Sequence, residues 1–268
     1  MKKPFRRIVQ YLFALFGFDY QRLSDVESVK QLIKSLKPYN TNVKLIRLGP
    51  NGDGGYLVPD DLAGIKACFS PGVSNISGFE EDCARLGMQI FMADKTVEKP
   101  NIKLSPEKYH FLKKFIGHFN DDDFIEIEEW LKTAQLNQHD DLMLQMDIEG
   151  CEYFTFINIP QSSLSRFRII VVEFHNLDRL WNRDFFKLAS AAFEKILKTH
   201  TCVHIHPNNC YGVNKHKGIE IPVLAEFSFF RNDRISEKIP KTLFPDPLDF
   251  DNTTAKHIVL PKNWFLES

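Results

Sequence analysis

The chain has 268 residues, with 34 Lys and Arg against 35 Asp and Glu, and its formal net charge is -1. A nearly neutral chain lacks the electrostatic attraction to phosphates that drives general nucleic-acid binding, so DNA and RNA are not expected partners. Hydrophobic residues make up 43% of the sequence, which excludes disorder as the general state and predicts one large globular domain with or without an appendage.

The chain opens with a basic segment and then a short apolar run. Four of the first seven residues are Lys or Arg, and the apolar run covers residues 8–18. The run is too short to cross a bilayer, and no small-residue cleavage site follows it. Two interpretations stay open for residues 1–20. They form a helix that lies at a membrane surface, or a helix that packs on the protein's own core or on a second copy in a homo-oligomer.

The rest of the chain divides into an N-terminal part and a regular α/β pattern. Residues 1–64 predict helices plus a loop, with a good helical stretch at residues 25–36. From residue 65 onward, apolar strand-like runs alternate with helical patterns, which predicts a parallel sheet covered by helices. The predicted strands cover residues 66–70, 89–94, 109–115, 142–147, 168–174, 201–206 and 222–231. The predicted helices between them cover residues 78–86, 124–136, 151–157 and 185–197.

The connection between the last two strands has the composition of a loop. Residues 207–212 read Pro-Asn-Asn-Cys-Tyr-Gly. Parallel neighbours need a longer crossover, usually a helix, so the last two strands are expected to pair antiparallel. The predicted fold is therefore an α/β, Rossmann-like, seven-stranded sheet of the methyltransferase type with a terminal antiparallel hairpin and an N-terminal helical extension.

The C-terminal tail is rich in Pro and Asp and ends in apolar residues. The run at residues 257–260 predicts an added edge strand, and Trp264 with Phe265 predicts an anchor for the terminus. The predicted organisation is a helical cap over residues 1–64, a Rossmann-like domain over residues 65–237, and a tail packed on that domain over residues 238–268.

Five cysteines are widely spaced along the chain and form no C-x-x-C pair. This pattern argues against a disulfide framework and against a thiolate zinc site. A reducing, cytoplasmic location is the expectation that follows, either free in the cytoplasm or at the inner face of the membrane.

Polar residues crowd the carboxyl ends of the predicted strands, where open α/β sheets bind their ligands. These ends carry Ser70 to Asn75, Asp94, Asp147 to Gly150, Glu173 to Asn176 and His204 to Asn209. Asp94 at a strand end is favoured to bind the two ribose hydroxyls of a nucleoside, and its alternative role is the N-cap of a helix before Thr96 and Val97. Asp147 and Glu149 are favoured as functional carboxylates, with helix capping as the alternative.

These segments resemble the FkbM-type S-adenosylmethionine (SAM)-dependent methyltransferases. The resemblance rests on Ser70 to Asn75 followed by Phe79 and Glu80, on Met92 to Val97, on Asp141 to Tyr153 with its Asp-Ile-Glu-Gly-x-Glu block, and on Val172 to His175. Upstream, Arg47 to Val58 is similar to an Asp-Gly-Gly-Tyr segment found in a subset of the family. The resemblance covers about residues 45–230.

The resemblance implies an O-methyltransferase that uses SAM and methylates a sugar hydroxyl in bacterial surface-glycan or glycolipid biosynthesis. A carbohydrate or glycolipid is then the acceptor, and Asp147, His175 and Glu149 are the expected catalytic residues, with Asp147 or His175 as the base. The implied cofactor-binding residues are Ser70, Gly72, Ser74, Asn75, Asp94, Ile116 and Gly117. The usual glycine-rich turn is reduced to Gly72, so a non-catalytic binding or scaffold module of a glycan-assembly complex is the alternative function.

A metal-assisted mechanism follows from the types of side chain at the strand ends. Asp147, Glu173, His175 and His206 offer carboxylate oxygens and imidazoles on strand ends that are expected to be adjacent, a mixture that suits Mg²⁺ or Mn²⁺. Such an ion could bind two neighbouring sugar hydroxyls and lower the pKa of the one that reacts. Metal-free general-base catalysis is the alternative mechanism.

Overall fold

A computed structural model describes residues 3–17, 21–73 and 75–266. The helices are α1 (Lys3–Leu15), α2 (Val26–Ser35), α3 (Gly78–Arg85), α4 (Ile127–Thr133), α5 (Glu152–Asn158), α6 (Gln161–Leu164) and α7 (Arg183–Leu197). The strands are β1 (Tyr39–Thr41), β2 (Leu45–Leu48), β3 (Tyr56–Pro59), β4 (Ala67–Pro71), β5 (Gln89–Ala93), β6 (Tyr109–Leu112), β7 (Phe115–Gly117), β8 (Phe124–Glu126), β9 (Leu142–Met146), β10 (Phe167–Phe174), β11 (His200–Pro207), β12 (Val213–His216), β13 (Ile219–Pro222), β14 (Ala225–Arg231) and β15 (Lys238–Pro240).

Seven strands form the central sheet, in the order β11-β14-β10-β9-β4-β5-β6. Neighbouring strands in the part β10-β9-β4-β5-β6 pair in parallel. Strand β14 runs antiparallel to both of its neighbours, β10 and β11. This is the Rossmann-like strand order of SAM-dependent methyltransferases, with β11 and β14 as the terminal antiparallel pair. Each of the seven predicted strand runs overlaps a strand of this sheet, so the predicted fold class is confirmed.

The sheet separates two hydrophobic cores, because successive residues of a strand point to opposite faces. Phe69 and Leu144 lie in one core, together with apolar residues of α2, α4, α5 and α7. Cys68 and Met143 lie in the other core, with residues of α3 and of the β2–β3 hairpin. Both faces are buried, which explains why the central strands are almost uniformly apolar.

Three local predictions are wrong. Residues 45–48 and 56–59 pair as the antiparallel strands β2 and β3, where the sequence predicted helices plus a loop. The helix expected from residue 124 begins at Ile127, because residues 124–126 pair in parallel with β7. Residues 257–260 form no strand, and β15 pairs instead with β1.

The tail is anchored at Trp264, as the sequence predicted. Its side chain is fully buried against Phe227, and its Nε1 donates to the carbonyl oxygen of Glu220 at 2.9 Å. The boundaries near residues 64 and 237 stay predictions, and β1 and β15 pair across them.

Helix α1 presents an exposed apolar face. Ile8, Leu12, Leu15 and Phe16, which recur at helical spacing, are each at least half exposed, and Phe16 is 79% exposed. These side chains are therefore not part of the protein's own core. In the part of the chain that the structure describes, no helix has both the length and the apolar character needed to cross a membrane.

Candidate functional site

A cavity of about 330 Å³ opens at the carboxyl edge of the sheet, beyond the ends of β4, β5 and β9. It lies where open α/β sheets bind ligands, and its volume falls in the range of small-molecule sites. Its lining residues are Gly72, Ala93, Asp94, Thr96, Phe115, Ile116, Phe124, Asp147, Ile148, Glu149 and Cys151. The cavity thus brings together three predicted cofactor residues, Gly72, Asp94 and Ile116, and two predicted catalytic residues.

Gly72 forms the close crossing between the loop after β4 and the end of β9. Its φ is +82°, and its N–H donates to the carbonyl oxygen of Ala93 at 2.9 Å. A Cβ atom at this position would lie 1.5 Å from the carbonyl oxygen of Asp147. Only glycine fits here, so the single glycine of the reduced motif is a steric requirement of the site.

Asp94 is 6% exposed and precedes a turn, not the helix that the sequence left open, and its ribose-binding role stays a prediction. Its Oδ1 accepts hydrogen bonds from the Thr96 backbone N–H at 2.7 Å and from Thr96 Oγ1 at 2.6 Å. The residue thus stabilises the turn after β5 while it lines the cavity. Nearby, the rings of Phe115 and Phe124 lie 5.2 Å apart and supply apolar wall together with Ile116.

Three predicted cofactor residues lie elsewhere. Ser70 is fully buried and hydrogen-bonded to Glu80 and to Gln145, so its hydroxyl belongs to the protein interior. Asn75 is exposed, and Gly117 packs against Phe124 without lining the cavity. Ser74 lies outside the described residues.

Carboxylates converge on one nitrogen of His175, beside the cavity. His175 Nε2 lies 3.3 Å from Glu149 Oε2, 3.8 Å from Asp147 Oδ1 and 4.0 Å from Glu173 Oε1. Glu149 reaches the ring because its own backbone is left-handed, with φ +56°, and Gly150 follows with φ +100°. The predicted catalytic residues Asp147, Glu149 and His175 are thus in one cluster.

Glu152 fixes the orientation of the His175 ring. Its side chain is fully buried, and its Oε1 lies 2.9 Å from His175 Nδ1 and accepts from the Gly150 N–H at 2.9 Å. The Tyr153 hydroxyl donates to the His175 carbonyl oxygen at 2.7 Å and holds the backbone. Nε2 is therefore directed at the carboxylates. No sequence pattern indicated this role for Glu152, although the residue ends the Asp-Ile-Glu-Gly-x-Glu block.

The electrostatics of the cluster favour proton exchange near neutral pH. Burial raises the pKa of Asp147 to about 7, with His175 opposing and Glu149 adding to the shift. Burial and the charge of Asp147 raise the pKa of Glu173 well above its usual value. Burial alone would lower the pKa of His175, but its hydrogen bond to Glu152 and the surrounding carboxylates raise it. Such shifted pKa values are typical of functional groups.

His206 is separated from the cluster, so its expected place on an adjacent strand is wrong. Strand β14 lies between β11, which carries His206, and β10, which ends beside His175. His206 Nδ1 lies 3.5 Å from Asp249 Oδ1, an atom that also lies 2.8 Å from His204 Nε2. The predicted metal set therefore divides into Asp147, Glu173 and His175 on one side and His206 on the other.

A smaller cavity of about 60 Å³ adjoins the larger one and shares Gly72 and Asp147 with it. The Asp-Gly-Gly-Tyr segment contributes Asp53, Gly54 and Tyr56 to its lining. The Tyr56 hydroxyl accepts from Gln145 Nε2 at 3.2 Å. The β2–β3 hairpin thus brings this segment to the site, in a region where the sequence predicted helices plus a loop.

No protein-family model matches the chain, and no curated protein sequence matches it either. Among solved structures, it is similar to magnesium protoporphyrin IX methyltransferase from Synechocystis PCC 6803, with 12% identity over 64% of this chain and 72% of that chain and a TM-score of 0.27. It is also similar to 1,6-didemethyltoxoflavin-N1-methyltransferase from Burkholderia thailandensis, with 12% identity over 63% and 72% of the two chains and a TM-score of 0.30.

A third similar structure is the N-methyltransferase NodS from Bradyrhizobium japonicum WM9, with 8% identity over 76% of this chain and 94% of that chain and a TM-score of 0.28. TM-scores this low do not define a shared activity.

Proposed function

We propose that the protein is a SAM-dependent O-methyltransferase. The observation that carries the proposal is the cavity at the carboxyl edge of the sheet, which joins Asp94 and an apolar wall to the cluster of Asp147, Glu149 and His175. The first part suits a nucleoside, since a carboxylate can accept ribose hydroxyls and Ile116 and Phe124 can pack against adenine. The second part suits a hydroxyl that must lose a proton.

The residues of the cluster suit an oxygen atom as the acceptor of the methyl group. When bound, SAM supplies a methyl group on a sulfonium sulfur. In the transfer, the acceptor oxygen would bond to the methyl carbon while the electron pair of the C–S bond stays on sulfur, and the hydroxyl proton would pass to Asp147 or His175. Both groups suit this role: burial raises the pKa of Asp147 to about 7, and the hydrogen bond to Glu152 outweighs burial and raises the pKa of His175. Glu149, at the mouth of the cavity, contacts His175 and helps to position the acceptor.

The proposed acceptor is a sugar hydroxyl of a surface glycan or glycolipid. The resemblance of the residue motifs to FkbM-type methyltransferases supports this choice. The exposed apolar face of α1, preceded by four basic residues among the first seven, suits an enzyme that works at the inner face of a membrane on lipid-linked intermediates.

Calorimetric titration of S-adenosylhomocysteine into chelator-treated protein tests the cofactor. We expect micromolar binding to the unaltered chain and a loss of at least about tenfold in Asp94→Ala, which removes the carboxylate meant for the ribose. Asp184→Ala is the matched control, because Asp184 is exposed on α7, and it should bind normally.

The alternative function, a non-catalytic scaffold, makes the opposite prediction. It is favoured if the unaltered chain does not bind S-adenosylhomocysteine, or if Asp94→Ala loses binding and still complements a deletion strain. Transfer of a labelled methyl group from SAM to cell-envelope glycan extracts, with loss in His175→Ala, would support the enzyme.

A further inference from the structure

Asp147, Glu149 and His175 have the spacing of ligands around one divalent cation. One ligand atom from each of these three residues lies within 4.8 Å of the other two. Ligand distances of about 2.1 Å, as for octahedral Mg²⁺, put two ligands of one ion about 3 to 4.3 Å apart. The two distances from His175 Nε2, 3.3 Å and 3.8 Å, fall inside that range. Shifts of a few tenths of an ångström would complete the set.

One carboxylate oxygen in this group lacks a hydrogen-bond partner. Among the residues that the structure describes, the buried Oδ1 of Asp147 accepts no hydrogen bond, although it faces His175 Nε2. An acceptor left unpaired away from water costs free energy of about 1–3 kcal/mol. A cation at this point would satisfy that oxygen.

The carboxylates around His175 also favour a cation at this point. Glu173, which is 6% exposed, adds a third carboxylate 4.0 Å from the same nitrogen. A proton on His175 supplies one positive charge, whereas a divalent cation supplies two to the same group of carboxylates.

The ring is also held as metal-bound imidazoles are held. Glu152 Oε1 lies 2.9 Å from Nδ1 and directs Nε2 towards Asp147 and Glu149. A carboxylate on the far nitrogen of a ligating histidine fixes the ring and strengthens it as a ligand.

We infer that Asp147, Glu149 and His175 bind one Mg²⁺ or Mn²⁺ ion, with Glu152 as the residue that positions His175. Hard oxygen donors and one imidazole suit these ions, and the set excludes His206. The role of the ion rests on the proposed function. With the ion bound, Asp147 and His175 act as its ligands and not as the proton acceptor: the ion would bind neighbouring hydroxyls of the acceptor and lower the pKa of the one that reacts, whose proton would pass to water, so the acceptor class is a vicinal diol. Binding of the ion does not rest on that function.

The test is titration of Mn²⁺ into the chelator-treated full chain without SAM, followed by the electron paramagnetic resonance of free Mn²⁺. We expect one Mn²⁺ per chain, and affinity at least about tenfold weaker in His175→Ala and in Glu149→Gln. Glu152→Gln should weaken binding about 10- to 100-fold although it contacts no ion. His206→Ala should bind as the unaltered chain does, and so should His139→Ala, which removes an exposed imidazole.

The site is overturned if the unaltered chain does not bind Mn²⁺, or if Glu149→Gln binds it with unchanged affinity. Glu149→Gln decides the case should His175→Ala not fold, because the Glu149 side chain is 86% exposed and its replacement leaves the core intact. Binding of S-adenosylhomocysteine in chelator with no Mn²⁺ binding would remove the metal site and leave the methyltransferase proposal standing. Mn²⁺ binding without S-adenosylhomocysteine binding would support the metal site and remove the methyltransferase proposal.

Discussion

At the scale of single residues, Gly72 is the position where the site tolerates least change. In Gly72→Ala, the left-handed backbone costs about 1–2 kcal/mol, and the clash of the new Cβ with the Asp147 carbonyl oxygen adds about 1–3 kcal/mol. We expect the free energy of unfolding, measured in urea, to fall by about 3 kcal/mol, and binding of S-adenosylhomocysteine to be lost.

Gly87→Ala separates the two costs. Gly87 has a similar φ of +89°, but a Cβ atom there meets nothing within 4 Å. We expect this control to lose only the backbone part, about 1–2 kcal/mol. Equal losses in the two variants would show that the contact with Asp147 is not a constraint.

Glu80 is a buried carboxyl that should make stability depend on pH. Burial raises its pKa to about 7, against 4.5 for the free side chain, and Ser70 contacts it. Because the pKa of Glu80 is higher in the folded protein than in the unfolded chain, protonation of Glu80 favours the folded state. Its contribution to the free energy of unfolding is complete below pH 4.5 and is lost as the pH rises through 7. Glu80→Gln does not titrate, so from pH 5 to pH 8 it should gain up to about 3 kcal/mol relative to the unaltered chain.

Urea unfolding at the two pH values measures this difference. Glu194→Gln, on the exposed side of α7, is the control and should show no such gain. A constant difference between the unaltered chain and Glu80→Gln at both pH values would contradict the raised pKa.

At the scale of elements, the seven strands of the central sheet could be predicted because their apolar runs alternate with helical patterns. The β2–β3 hairpin could not, since its strands are four residues each and a glycine-rich loop joins them. Residues 124–126 show the same limit: their pairing with β7 is a contact between segments, whereas their own sequence continues into α4.

In the site too, the positions set by local sequence could be predicted, and those set by contacts between distant segments could not. The cluster of Asp147, Glu149 and His175 could be predicted because these residues directly follow two neighbouring parallel strands. The place of His206 depended on the strand order of the central sheet, in which β14, its last strand along the chain, lies between β10 and β11. No local pattern in the sequence states that order. The role of Glu152 depends on the fold of the turn before α5.

Helix α1 gives a prediction about membranes. We expect the full chain to bind vesicles that contain anionic phosphatidylglycerol more strongly than neutral vesicles, because basic residues precede an exposed apolar face. The double variant Leu12→Glu/Phe16→Glu should lose this binding in a sedimentation assay. Leu243→Glu changes an exposed leucine of the tail and should bind as before. A change of oligomeric state in the double variant, with vesicle binding intact, would favour self-association instead.

At the scale of the whole molecule, the tail and the sheet share one core. Leu260, Trp264 and Phe265 lie in the same hydrophobic cluster as Phe227 of β14. We expect Trp264→Ala to lower the free energy of unfolding by about 3–5 kcal/mol, and the calorimetric transition to stay single. Leu243→Ala, at a side chain that is 80% exposed, should change it by less than about 0.5 kcal/mol. A separate early transition in Trp264→Ala would show that the tail unfolds on its own.

The pairing of β1 with β15 sets an order of events during synthesis of the chain. Tyr39 pairs with Pro240, so a strand made early in synthesis must wait for one made 201 residues later. At about 5–20 residues per second on the ribosome, that wait is about 10–40 s. Throughout that interval, the backbone N–H and C=O groups of β1 lack their partners in β15. A ribosome stalled before residue 238 should therefore carry a chain in which β1, which is not a strand of the central sheet, is still unpaired.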